Sequence, residues 1–202
     1  DRADDAVKHR ITEAQKNLLR LNNGLDAFYD CPEIGWLYLS WYHPRRSLQM
    51  MKGLRSVWDA CKGTHLEVLD LGCGTGATLW GLSFLALEAD EDGTNELEGP
   101  STITYRGIDA SAIMLRAAET SWGSWADNLP KSPKRFTEIQ WTHNLWETEQ
   151  ASASCSGSHK LLTAGYLFDS TDDTRITRLS ANFAEYAEAF APKWVYVTTS
   201  TK

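Results

Sequence analysis

The stretch His65-Leu66-Glu67-Val68-Leu69-Asp70-Leu71-Gly72-Cys73-Gly74-Thr75-Gly76-Ala77-Thr78-Leu79-Trp80 constrains the fold more than any other. Leu66 to Leu71 is a short apolar run with Val68 inside it, which suits a buried strand of a parallel sheet. Three glycines at alternate positions follow, and a helical pattern opens at Thr75. A strand that turns sharply into a helix through glycines lets a ligand approach the backbone, because no Cβ stands in the way. It also aims the helix's first N–H groups, which lack partners within the helix, at that ligand. Asp70 adds a carboxylate beside the turn. The combination predicts a ligand with both a cationic group and hydrogen-bonding groups.

The phrase Asp70-Leu71-Gly72-Cys73-Gly74-Thr75-Gly76 resembles the first motif of the class I methyltransferases that use S-adenosylmethionine, with no narrower family indicated. Gly72, Gly74 and Ala77 also fit the dinucleotide fingerprint G-x-G-x-x-G/A. That fingerprint wants an acidic residue roughly 20 residues on. Glu91 and Asp92 stand there, in a polar, acidic stretch that does not end a strand. The Asp before the first glycine suits the methyltransferase pattern better. The resemblance implies S-adenosylmethionine as cofactor, held by Asp70, Gly72, Cys73, Gly74 and Gly76.

Ahead of the motif, Val7, Ile11, Leu18 and Leu21 recur at three- and four-residue multiples, with Gly24 as a stop. They predict an amphipathic helix packed on its own domain. Residues 25–43 are rich in aromatics, and Pro32 and Pro44 suit the first turns of two further helices. The second carries an apolar face of Leu48, Met51, Leu54, Trp58 and Cys61. Trp36, Leu39 and Trp58 read as core. Tyr38, Tyr42, His43 and Arg46 have polar tips that need partners when buried. Tyr38, Tyr42 and Arg46 are expected to line the open side of the cofactor pocket. Residues 1–63 thus form a helical N-terminal cap, and residues 64–202 the cofactor-binding domain.

After the motif come a helix from Thr75 to Leu87 and a solvated acidic loop over 88–100. Strands follow at Thr102 to Asp109, Phe136 to Thr142, Lys160 onward and Trp194 to Thr199. Ser111 suits the N-cap of a helix containing Met114 and Ala118. A helix ending at Phe190 shows Ile176, Leu179, Phe183, Tyr186 and Phe190 on one face. Alternating strands and helices indicate an α/β fold, a parallel sheet wrapped on both faces. The resemblance makes it a Rossmann-like methyltransferase fold with five strands, lacking the family's last two. The chain is then either truncated at its C-terminus or has a partner covering the fifth-strand edge, since bare edges invite pairing.

Further site residues follow from the same resemblance. Asp109 would accept hydrogen bonds from both ribose hydroxyls, with Ala110 beside it. Asn144 and Leu145 would meet the adenine, Asn144 standing where the family often has an acidic residue. The loop after the fourth strand faces the transferred methyl group, so Tyr166 and Asp169 are the catalytic candidates. Asp169 also suits the start of the helix that follows. No Asn/Asp-Pro-Pro-aromatic phrase occurs there, and nothing supports methylation of a nucleobase amine.

A net charge of −7 argues against a nucleic-acid partner, although His43-Pro44-Arg45-Arg46 is locally basic. Cys31, Cys61, Cys73 and Cys155 are scattered without metal-ligand spacing, as in a reduced cytosolic protein. The longest apolar run, Leu79 to Leu87, falls short of the roughly 20 residues that span a bilayer, so no membrane partner is expected. The resulting reading is a cytoplasmic methyltransferase acting on an unidentified small-molecule or macromolecular substrate. Methyl transfer depends mostly on positioning, so it needs no recognisable protein base. The alternatives are a non-catalytic scaffold or cofactor-sensing domain of a larger protein, and a nicotinamide-dependent enzyme.

Overall fold

Strand β1 (His65–Leu71) is the middle of the sheet because it is apolar on both faces. Leu66 and Val68 join one hydrophobic cluster, while Leu69 and Leu71 join another. A computed structural model describes residues 2–23, 27–91, 99–128, 135–143, 159–165 and 173–199. Within them β1 pairs with β2 (Thr102–Asp109) and β4 (His159–Gly165). Beyond these, β2 pairs with β3 (Phe136–His143) and β4 with β5 (Trp194–Thr198). The order is β3-β2-β1-β4-β5, and every pairing is parallel. The strands and the Rossmann-like architecture read from the sequence are therefore present.

Helices cover both faces. Helices α1 (Arg2–Leu19, continued by a 3-10 turn over Arg20–Asn23), α2 (Pro32–Trp41) and α3 (His43–Ala60) precede β1. Helices α4 (Ala77–Glu91) and α5 (Ala112–Asn128) then flank β2, and α6 (Asp173–Phe190) lies between β4 and β5. Met50, Leu54 and Trp58 of α3 pack with Leu79, Leu82 and Leu85 of α4 on one face of the sheet. Leu179, Tyr186 and Phe190 of α6 cover the other. Gly81 lets α3 and α4 touch closely: a Cβ there would stand 2.8 Å from that of Met50. Ala14 and Leu18 of α1 join Ile34 and Tyr38 of α2 against Met114 of α5, which docks the N-terminal helices on α5.

Several details differ from the sequence reading. Helix α4 starts at Ala77 and not at Thr75, because Gly76 has φ +80°, outside the helical region. It runs on to Glu91, and Glu88 pairs with Arg55 of α3, so the acidic loop starts later than expected. Trp36 and Leu48 are not core, being 51% and 50% exposed. Helix α3 instead turns His43, Ser47, Met50, Leu54, Val57 and Trp58 inward. Ser47 can be buried there because its hydroxyl donates to the carbonyl of His43. Val195 and Val197 of β5 are exposed, and no strand pairs with its outer edge among the described residues. No described helix is long and apolar enough to cross a membrane. Gly24 and Cys155 lie outside the described residues.

Candidate cofactor site

The glycine loop closes onto the end of β2. Gly72, Gly74 and Gly76 have φ of +64°, +53° and +80°, a left-handed region that costs other residues roughly 1–2 kcal/mol each. The Cys73 N–H donates to the Ile108 carbonyl at 3.1 Å, and the Gly76 N–H to the Cys73 carbonyl at 2.8 Å. The Gly74 N–H donates to Asp109 Oδ2 at 2.7 Å. These three amides are therefore engaged within the protein and are not offered to a ligand, contrary to the general expectation for such a loop. Behind it, the Trp141 ring of β3 fills the space over Gly76, where a Cβ would come within 2.8 Å of it.

Asp70 leaves β1 with its neighbours set by register. Thr163 of β4 and Gly107 of β2 lie opposite it. Thr163 Oγ1 donates to Asp70 Oδ1 at 2.7 Å, and the Tyr105 hydroxyl to Oδ2 at 2.8 Å. Only 1% of Asp70 is exposed, and burial pushes its carboxyl up to about 6, against the pull of these two bonds. The same burial raises the Tyr105 phenol and the Cys73 thiol well above their ordinary values.

Asp109 does two jobs at the end of β2. Its Oδ2 holds the loop at Gly74, and its Oδ1 accepts the Ser111 N–H at 2.8 Å. Ser111 Oγ in turn accepts the Met114 N–H at 3.2 Å, the N-cap expected for α5. Burial raises the Asp109 carboxyl, while the Ser111 and Gly74 amides oppose the rise. Each carboxylate oxygen keeps a second lone pair for a ligand hydroxyl. Ala110 is exposed, and its carbonyl lies 3.1 Å from His143 Nε2. Asp109→Asn leaves one backbone donor without its acceptor, so it should cost about 1–3 kcal/mol of stability. It should also weaken, roughly tenfold, the binding of any ligand whose hydroxyls reach Asp109. Melting curves and calorimetry on one preparation check both, and unchanged affinity would leave Asp109 a helix cap.

Tyr38 and Arg46 line a cleft of about 30 Å³ with Asp70, Gly72, Gly74 and Thr75. The Arg46 guanidinium lies 5.0 Å from the Tyr38 ring centre and 5.6 Å from that of Tyr42. Tyr42 stacks on Tyr38 at 5.5 Å, and its hydroxyl turns to Asn22 and the Leu18 carbonyl. The structure thus brings Tyr38 and Arg46 to the glycine loop and puts Tyr42 behind Tyr38. His43 is also in contact with the loop, its Nδ1 lying 2.7 Å from Thr75 Oγ1. Neither His43 nor Trp141 was singled out as a loop partner by sequence. A polar tip at the start of an amphipathic helix and an aromatic late in a strand are the only signals. Asn144, Leu145, Tyr166 and Asp169 lie outside the described residues. A larger hollow of about 410 Å³ between α1 and residues 27–31 is lined by none of these loop or carboxylate groups.

No protein-family model and no curated protein matches the chain. Among solved structures it is similar to a Methanococcus maripaludis protein assigned as an S-adenosyl-L-methionine-dependent methyltransferase. The two are 14% identical with a TM-score of 0.49, over 81% of this chain and 59% of that one. It is also similar to the plantazolicin methyltransferase BpumL, solved with a desmethylPZN analog and SAH. There the identity is 16% and the TM-score 0.46, over 94% of this chain and 60% of the other. An S-adenosylmethionine-dependent methyltransferase from Clostridium acetobutylicum gives 15% and 0.39, over 80% and 52%. The likeness is one of fold. This chain spans about three fifths of the length of the first two.

Proposed function

We propose that the chain binds S-adenosylmethionine at the carboxyl ends of β1 and β2 and transfers its methyl group to a substrate still to be identified. One observation carries this reading. Asp70 and Asp109 flank the glycine loop, and neither is in an ion pair among the described residues. A dinucleotide would bring phosphates, which two carboxylates repel and which need free amides. S-adenosylmethionine brings an ammonium, a sulfonium and a ribose diol, and no phosphate.

On this reading the methionine portion lies over Gly72 to Gly76, passing Cys73, with its cationic end towards Asp70. Arg46 offers its planar fork to the cofactor carboxylate, and Tyr38 closes the same side with Tyr42 behind it. Asp109 takes the ribose, and Ala110, Asn144 and Leu145 border the adenine. Tyr166 and Asp169 are the groups proposed beside the transferred methyl. When bound, the cofactor supplies an electrophilic methyl group, which a substrate lone pair attacks as the carbon–sulfur bond breaks. The chain's part is orientation and exclusion of water. Residues 1–63 serve as the cap and residues 64–202 as the cofactor-binding domain.

A cleft of about 30 Å³ is small beside the roughly 300–1,000 Å³ of ligand pockets. Side chains of the cap must therefore shift for a cofactor to enter. A domain that senses the cofactor without turning it over would use the same cleft. Incubation with methyl-labelled cofactor and cell extract separates the two. The expected result is label in a product fraction. Binding without transfer would mean a sensing domain.

A further inference from the structure

Helix α3 starts with a buried histidine. His43 is 6% exposed, and its Nδ1 meets Thr75 Oγ1 at 2.7 Å, inside the glycine loop. Its Nε2 is buried without a hydrogen-bond partner, and the ring stands edge-on to Trp80 at 5.4 Å and 87°. Thr75 is 1% exposed, so its hydroxyl has little recourse to water if His43 withdraws. A buried polar group left unpaired costs more than a hydrogen bond normally contributes. Each of the two side chains therefore holds the other in place. Arg46 sits one turn further along α3 and lines the cleft together with Thr75. The His43–Thr75 bond and Arg46 thus share the first turn of α3.

We propose that His43 is a positioning residue, which through Thr75 makes the docking of α3 and the ligand-binding shape of the glycine loop a single event. The role presupposes, for ligand binding alone, the cofactor site proposed above. Opening the cleft to admit a ligand then means loosening α3 at its first turn, and closing it restores the bond to Thr75. The effect on the ligand passes entirely through Thr75 and Arg46, with no contact from His43 itself.

The test has a ligand-free arm and a binding arm. In the free protein, Thr75→Val keeps the side chain's shape and removes its hydroxyl. Amide exchange should then quicken together at the first turn of α3 and at Gly74 and Gly76, by about tenfold, with the centre of β1 unchanged. Thr75→Ser should recover most of the protection. Exchange that quickens in the loop and not in α3 would overturn the coupling. In the binding arm, Thr75→Val and His43→Leu should each weaken S-adenosylhomocysteine binding by about tenfold, and the double variant should lose no more than either. Losses that multiply would show independent roles and would also overturn it. Should His43→Leu not fold, the valine and serine variants at position 75 decide alone. If the exchange result holds and the parent protein binds no cofactor, the coupling stands and the proposed function falls.

Discussion

Gly74→Ala should remove cofactor binding while leaving the fold largely intact, whereas Gly76→Ala should damage the fold itself. Both glycines are left-handed, at φ +53° and +80°. What separates them is the space a methyl group would enter. At Gly74 the nearest atom is Met114 Cε at 3.7 Å, an ordinary contact, so the cost is the backbone conformation alone, about 1–2 kcal/mol. Gly74 itself lines the cleft of about 30 Å³, so the changed loop backbone should lower affinity by well over tenfold. At Gly76 the added Cβ would lie 2.8 Å from the Trp141 ring. Trp141 cannot easily retreat, since it packs on Tyr105 at 5.4 Å and over Gly107. Conformational strain and overpacking together should cost about 2–5 kcal/mol. Denaturant melts and cofactor titrations on the two variants check the separation. Equal stability losses, or a Gly74→Ala variant that binds like the parent, would contradict it.

The second large effect is hidden in the parent protein. His43 is pulled by burial from 6.5 to about 4, so the folded state refuses a proton that the unfolded state takes. Its contribution is full above 6.5 and is lost as pH falls towards 4, about 3 kcal/mol in all. Asp70 is pushed by burial from 3.8 to about 6, so the folded state keeps a proton that the unfolded state gives up. Its contribution is full below 3.8 and is lost as pH rises to 6, again about 3 kcal/mol. Between pH 6.5 and 4 the two act in opposite directions. Asp70→Asn should expose the acid sensitivity of His43, with stability relative to the parent falling by about 3 kcal/mol over that range. His43→Gln should do the opposite. Differences from the parent remove the background of other groups, including Asp109, which shifts in the same direction as Asp70. Urea melts at pH 4, 5, 6 and 7 read this directly, and an Asp70→Asn profile parallel to the parent's would refute the assignment.

The sheet was legible because its information is local. A continuous apolar run marks a strand with neighbours on both sides, and β1 has them. The turn into α5 was legible for the same reason, since Ser111 caps a helix three residues away. The glycine loop declared itself by composition, and its three positive φ angles account for the spacing. What could not be read depends on distant partners. Asp70 was expected beside a ligand and does line the cleft, but its oxygens also accept from Thr163 and Tyr105, 93 and 35 residues away in sequence, which no local pattern shows. His43 is buried because Thr75 meets it across 32 residues. Apolar periodicity assigned Leu48 to the inner face of α3, where Ser47 lies instead, satisfied by its own helix. Trp36 misled for a different reason, since aromatic character alone does not say which side of a short helix is covered.

The central claim is that the carboxylates beside the glycine loop select a cationic, phosphate-free nucleoside ligand. Calorimetric titration of the folded protein with S-adenosylmethionine, and with NAD as the phosphate-bearing competitor, tests it most directly. S-adenosylmethionine should bind at one site, tightening as pH rises through 6, where Asp70 ionises, and NAD should give no heat. Binding of NAD without S-adenosylmethionine, or binding of neither, would contradict the account.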